Sequence, residues 1–200
     1  ARAVLDGVSL SKADSIGHQL AVPFFNLTDN GLHPAHVGAM PFDGEGTPTR
    51  ALPLIRGGCL ESFLHSEATA RHFGVDPTGH AGMGAKVSVG ADWLEVSRSP
   101  SMTTGAEHLD HTTTRDCFVL IDSLSALHAG VKASQGAFSL PFDGWLVRDG
   151  ERISVEAATV AGDIRELLHS IVHLESKSVI THQGVSPHVW IDGLAITGEA

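Results

Sequence analysis

Tyrosine is missing from the 200 residues altogether, and cysteine occurs only twice, as Cys59 and Cys117. The missing tyrosine excludes nothing by itself. The two cysteines show no metal or redox spacing, which points to reduced thiols and an intracellular chain. No apolar run reaches membrane-spanning length and no signal-peptide pattern is present. A cytoplasmic protein that does not enter a membrane is therefore expected. Positive charge is scarce: 13 Lys and Arg stand against 23 Asp and Glu, a formal net charge of -10. No Lys/Arg cluster builds the basic face that phosphate neutralisation needs, which argues against direct nucleic-acid binding. A P-loop, a G-x-S-x-G elbow and a dinucleotide fingerprint are all absent. The chain begins Ala1-Arg2 rather than with methionine, so it is expected to be a piece of a longer protein.

The chain does have 42% hydrophobic and 18% charged residues, the balance of an ordinary globular protein. Its length suits one domain, or two small ones. Glycine is frequent, with 22 residues, and so is histidine, with 13. Two glycine-centred hairpins are readable, ALPLIR-GG-CLESFLHS around Gly57-Gly58 and GWLVR-DG-ERISV around Asp149-Gly150, because a primed turn needs positive φ at its centre. Further strands are expected over Ala85–Ser97, Cys117–Leu124 and the segment HVWIDGLAIT ending near Thr197. SEATARHF (Ser66–Phe73) has a Ser start and a Gly stop, so it predicts a helix. DIRELLHSIVHL (Asp163–Leu174) predicts a longer one, with Ile164, Leu167, Leu168, Ile171 and Leu174 on one apolar stripe. The polar stretch Ser97–Asp116 reads as a loop. Together these give an α+β fold of mainly antiparallel hairpins with a few helices.

Candidate chemistry is thin. Asp43 and Glu45, in PFDGEGTPTR, could be a carboxylate pair, but Gly44 and Gly46 argue against a regular strand that would aim both at one bond. In a turn, Asp43 would accept backbone N–H groups, and a turn-organising role is favoured for Asp43, Glu45 and Gly46. His169 and His173 would share a helix face at i and i+4, a zinc-binding spacing. The Glu of H-E-x-x-H is missing, and no third ligand is evident. His33, His36, His108 and His111 are further loop histidines, each weak evidence of a metal. PTGHAGMGAKVSVG (Pro77–Gly90) carries Gly79, His80 and Gly82 and reads either as a peptide-lining loop or as a plain connection.

In order, MPFDGEGTPTR, LIRGGCLESFLHSEATARHFG, PTGHAG, GWLVRDGERISVEAATVAGDIRELLHSIV and IDGLAITG resemble the carboxy-terminal domain of the TldD/PmbA (TldE) family. These proteins are called modulators of DNA gyrase and form a peptidase system. The resemblance runs from about Pro34 to Gly198 and is weakest over residues 102–136. It implies that residues 1–200 are one such domain, without the family's amino-terminal domain. It also implies a heterodimer whose TldD-type subunit holds zinc through a His-Glu-x-x-x-His helix and a downstream Cys. Here VSLSKADSIGHQLAVPF contains no His-Glu pair, and Ser186 stands about where that Cys would fall. The resemblance therefore implies the metal-free PmbA/TldE type: no cofactor in this chain, zinc on a TldD-like partner, and an extended peptide as substrate. A homodimer is the other assembly it allows. Two other functions remain open, a stand-alone metal-dependent hydrolase using His169 and His173, and a protein-binding module acting on gyrase. LESKS (Leu174–Ser178) replaces the Gly-Asn-Asp stretch common in the family.

Overall fold

A computed structural model describes residues 1–99 and 117–199. In chain order the elements are α1 (Arg2–Leu5), β1 (Phe25–Asn30), β2 (Ala51–Arg56), β3 (Cys59–Leu60), α2 (Glu67–Phe73), β4 (Ala81–Gly82), β5 (Ser88–Val89) and β6 (Leu94–Arg98). There follow β7 (Cys117–Leu124), α3 (Leu127–Gly130), β8 (Val131–Lys132), β9 (Ala137–Arg148), β10 (Glu151–Asp163), α4 (Ile164–His169), β11 (Ile171–Ile180), β12 (Gly184–Ile191) and β13 (Ala195–Glu199). The fold is α+β, with mostly antiparallel strands and short helices.

The chain divides into two compact units. One is Ala1–Met102 with His173–Trp190, the other Thr103–Val172 with Ile191–Ala200. The first holds a six-stranded sheet in the order β11-β12-β6-β1-β2-β3, with β4 and β5 paired separately. Its β1 pairs antiparallel with both β2 and β6, while β12 meets β6 in parallel. Phe25, Leu52, Ile55 and Leu60 are buried around this sheet.

The second unit is built on the β9–β10 hairpin, whose pairing runs from Arg148↔Glu151 to Ala137↔Asp163. Side chains alternate across a strand, so Leu140 and Phe142 on β9 and Ala158 and Val160 on β10 form its buried core. Val119 and Ile121 of β7 and Leu194 pack against them. Burying each large apolar side chain contributes roughly 1.5–3 kcal/mol. A bulge falls between Val155 and Ala158, where Ala157 takes φ +49°.

Both hairpin turns form where the sequence places them, with φ +56° and +78° at Gly57-Gly58 and +52° and +82° at Asp149-Gly150. The strand Cys117–Leu124 is present as read. Four other expectations are corrected. The helix from Asp163 stops at His169, and Ile171–Ile180 is a strand. IVHLESKSVI carries β-branched residues at both ends, and sheet pairing with β12 outweighs the helical stripe. The strand predicted over Ala85–Ser97 is two strands, β5 and β6, interrupted at Gly90–Trp93. HVWIDGLAIT likewise breaks at Asp192-Gly193, with φ +85° at the glycine, and its halves join different sheets. After the first hairpin, β3 lasts only two residues. Most of the loop expected over Ser97–Asp116, including His108 and His111, lies outside the described residues.

Helix α2 forms as read, and its ends are chemically specified. Ser66 Oγ accepts from Thr69 N, and Thr69 Oγ1 accepts from Ser66 N. Gly74 closes the helix in the left-handed region, with φ +67°, and its N–H donates to Ala70 O. Replacing Ser66 with Ala removes one half of this reciprocal cap. It is expected to lower stability by about 1 kcal/mol, read by urea denaturation. An unchanged midpoint would show that other acceptors hold this helix end.

Candidate functional site

The motifs that stand out in the sequence meet in the first unit. Asp43 lies in the turn from Pro41 to Thr49. Its Oδ1 accepts from Glu45 N and Thr47 N, both at 2.9 Å, and its Oδ2 accepts from Ala81 N at 3.0 Å. Gly44 N donates to Ala81 O at 2.6 Å, and Asp43 N to Thr47 O at 2.9 Å. The turn is thereby fastened to β4. Glu45 reaches the other way: its Oε2 accepts from Glu67 N, at the first residue of α2. A carboxylate there satisfies an orphan donor and complements the positive end of the helix.

Two glycines are obligatory at this junction. A Cβ on Gly44 would lie 2.7 Å from Met83 N and 2.8 Å from Ala81 O. Gly79 has φ +80°, and a Cβ there would run into Pro48 O. Gly46 forms the turn at φ +84°, and its N–H donates to Asp43 O. Gly82 pairs with Ser88 in the β4–β5 ribbon.

His80 points inward with a fully buried side chain. Its Nδ1 lies 3.0 Å from Thr78 Oγ1, which also accepts from His65 N at 2.8 Å and donates to His65 O at 3.1 Å. His80 Nε2 faces Asp29 Oδ2 at 3.4 Å. Asp29, on β1, is itself completely buried. Its Oδ2 accepts from Asp92 N and its Oδ1 from Trp93 N, both at 3.0 Å. Trp93 is 1% exposed. His33 stacks on it at 5.7 Å between ring centroids, and His36 leans on it at 4.9 Å. His36 Nδ1 lies 3.0 Å from Gly31 O, which can only accept, so that nitrogen carries the proton. Burial first, and Asp29 second, hold the Asp92 carboxyl above the usual carboxylate range.

This arrangement organises backbone rather than chemistry. The carboxylates of Asp29, Asp43 and Glu45 are engaged by main-chain N–H groups. Among the described residues, three buried ring nitrogens, His65 Nδ1, His80 Nε2 and Trp93 Nε1, have no hydrogen-bond partner. No serine or cysteine beside them forms a nucleophile–base pair among the described residues.

The predicted i, i+4 histidine pair does not exist. His169 ends α4 and His173 lies on β11, so the two never share a helix face. The stand-alone hydrolase built on them loses its geometric basis. Among the described residues, no three His, Cys, Asp or Glu side chains come together as a group able to hold a metal. Sequence reasoning missed Asp29 and Trp93. The only signal was an acid inside FFNLTDN, an apolar-led segment, where an unpaired carboxylate would be costly.

Two tests follow for the buried network. Asp29→Asn replaces one accepting oxygen with an NH2 group that faces a donor. It should cost about 2–3 kcal/mol in urea denaturation; a loss below about 0.5 kcal/mol would show that these bonds are not the anchor. His65 packs edge-on against Phe73 at 5.4 Å, and burial pushes its pKa below the ordinary histidine value. The unfolded chain therefore takes up a proton near pH ~6.5 while the folded chain resists it. The stability from neutral His65 is full above that pH and is lost as pH falls below it. The melting temperature should drop between about pH 7.5 and about pH 5.5, and less steeply in His65→Leu. Parallel slopes would assign the drop to other groups.

Comparison with known proteins places this chain in a family. The family model described as the PmbA/TldA metallopeptidase C-terminal domain matches residues 1–198. A Haemophilus influenzae protein named Metalloprotease PmbA homolog is 25% identical over 160 residues, covering 80% of this chain and 33% of its own length. The chain thus spans about a third of that curated relative. Among solved structures, a proposed modulator of a DNA gyrase from Thermotoga maritima superposes with a TM-score of 0.84 at 29% identity, over 98% of this chain and 44% of that one. TldE from Thermococcus kodakarensis shares the fold, with a TM-score of 0.78 at 20% identity, over 98% of this chain and 45% of that one.

Proposed function

This chain belongs to the PmbA/TldD metallopeptidase family as a carboxy-terminal domain, and from that premise we propose that it serves as the metal-free, non-catalytic partner of a TldD-type subunit. The pair would form a cytoplasmic peptidase acting on unfolded or leader peptides, with zinc on the TldD-type side.

The donor set carries this reading. The resemblance expects a His-Glu-x-x-x-His helix near the start of the domain and a later Cys. The opening segment contains α1 and a three-residue turn of 3-10 helix over Ala13–Ser15, and its only histidine before Phe24 is His18. Ser186, on β12, stands about where the Cys would be, and its Oγ donates to Pro187 O. These residues do not fit a zinc site, so no hydrolytic step is assigned to this chain.

Its contribution would be to wall the chamber and hold the peptide extended. Edge strands offer the means, because an added strand is bound through main-chain groups and tolerates varied sequence. Among the described residues, β11 and β3 end the first sheet, and β13 and β7 end the second. In this reading Asp43, Glu45, Gly46, Gly79, His80 and Gly82 shape the chamber side of the first unit rather than act on the scissile bond.

Zinc content by mass spectrometry, on untagged protein, checks the assignment. Less than about a tenth of an equivalent is expected, with no peptidase activity alone and activity on unfolded peptide after mixing with a TldD-type subunit. Zinc near one equivalent, or hydrolysis by this chain alone, would overturn the partner role.

A further inference from the structure

The second unit holds a pocket of about 400 Å³, lined by Arg165, Glu166, His169 and Ser170 along α4 and by Gly193 and Leu194 ahead of β13. That volume accepts one long side chain. Its electrostatics are lopsided. Arg165 is already committed: Nε donates to Asp163 Oδ1, and Nη2 donates to Asp163 Oδ2 and to Gln135 O. The same guanidinium holds the Asp163 carboxyl at a pKa of about 2, far below the carboxylate range. The Asp163–Arg165 pair is therefore neutral across the physiological range. Glu166 is exposed and forms no ion pair among the described residues, so it is the carboxylate left to face a ligand.

An anionic ligand would compete with Asp163 for the guanidinium and would meet Glu166. A metal ion would find only Glu166 and His169, short of the donors it needs. A cationic side chain fits: its ammonium or guanidinium against Glu166, its hydrogen bonds to Ser170 or the imidazole, its aliphatic stem on Leu194. The chain's net charge of -10 favours such a ligand at longer range. Placement supplies the rest. Leu194 immediately precedes β13, which pairs with β10 on one side and closes the sheet on the other. Ala195–Gly198 of that strand are exposed.

We propose that the pocket beside α4 receives a Lys or Arg side chain of an extended peptide paired to the edge of β13 that no described strand occupies. This rests on the peptide-holding role above and adds a preference for basic residues to it.

Fluorescence anisotropy on the 200-residue chain tests it with two labelled, unstructured, Val/Thr-rich peptides. One carries a central Lys and the other norleucine in its place. The Lys peptide should bind about 5- to 10-fold more tightly at low salt. Glu166→Gln, a near-isosteric change at an exposed side chain, should remove that advantage and leave norleucine binding unchanged, with circular dichroism showing the fold retained. Equal binding of both peptides to the unaltered chain would overturn the pocket while leaving strand addition intact. A Lys advantage that survives Glu166→Gln would overturn the assignment to this pocket in favour of the chain's diffuse charge. Failure of both peptides to bind would overturn this proposal and the peptide-holding role together.

Discussion

A carboxylate sealed from solvent sets the arrangement of the first unit. Asp29 enters from β1, accepts N–H bonds from Asp92 and Trp93, and faces His80. Burying an ionised carboxylate without partners would cost far more than any one side chain contributes. The segment ahead of β6 must therefore present its two N–H groups to Asp29, and the glycine-rich loop must bring His80 inward. Because residue 93 is fixed this way, its indole is buried, and His33 and His36 close over it. His80 passes the constraint through Thr78 to both backbone groups of His65, one residue before the cap of α2.

A second carboxylate works on the other side of the same loop. Asp43 binds Ala81 N while Gly44 N binds Ala81 O, so the residue after His80 is held on both its polar groups. Glu45 then reaches α2. Turn, loop and helix are thus joined through main-chain polar groups, which explains why glycines crowd the junction. Side chains at Gly44 and Gly79 would keep the backbones from approaching closely enough to bond.

Much of this is legible in the sequence, but unevenly. The paired turns were plain because φ above zero has a narrow residue vocabulary, and Gly57-Gly58 and Asp149-Gly150 use it. Helix α2 was plain because Ser66 and Gly74 mark both ends chemically. The segment from Ile164 misled only past His169, because the helical stripe carries on through Ile171 and Leu174 into residues that form a strand. Only pairing with β12, which no local pattern reveals, decides between them. Asp29 and Trp93 escaped notice for a related reason: their partners lie more than sixty residues away in sequence. The motifs at Asp43 and His80 could be recognised individually, but the bond from Asp43 to Ala81 that unites them could not.

The acid-rich composition can now be given a physical reading. Asp29, Asp43, Glu45 and Asp163 each accept at least one backbone N–H, at an interrupted strand, a glycine turn, a helix start and a helix cap respectively. A fold with short elements and many glycines leaves numerous main-chain donors outside regular ladders, and each buried one must find an acceptor. Carboxylates are the strongest acceptors available, since bonds to a charged oxygen are about twice as strong as neutral ones. These four carboxylates therefore serve the irregular backbone, and proximity of two acids in sequence is no argument for catalysis. Among the described residues Glu166 accepts no such bond, and it lines a pocket one residue beyond the cap pair of Asp163 and Arg165. Glu166 lies in the first turn of α4 beside that pocket, and with no hydrogen-bond partner for its side chain among the described residues its charge remains available to another molecule.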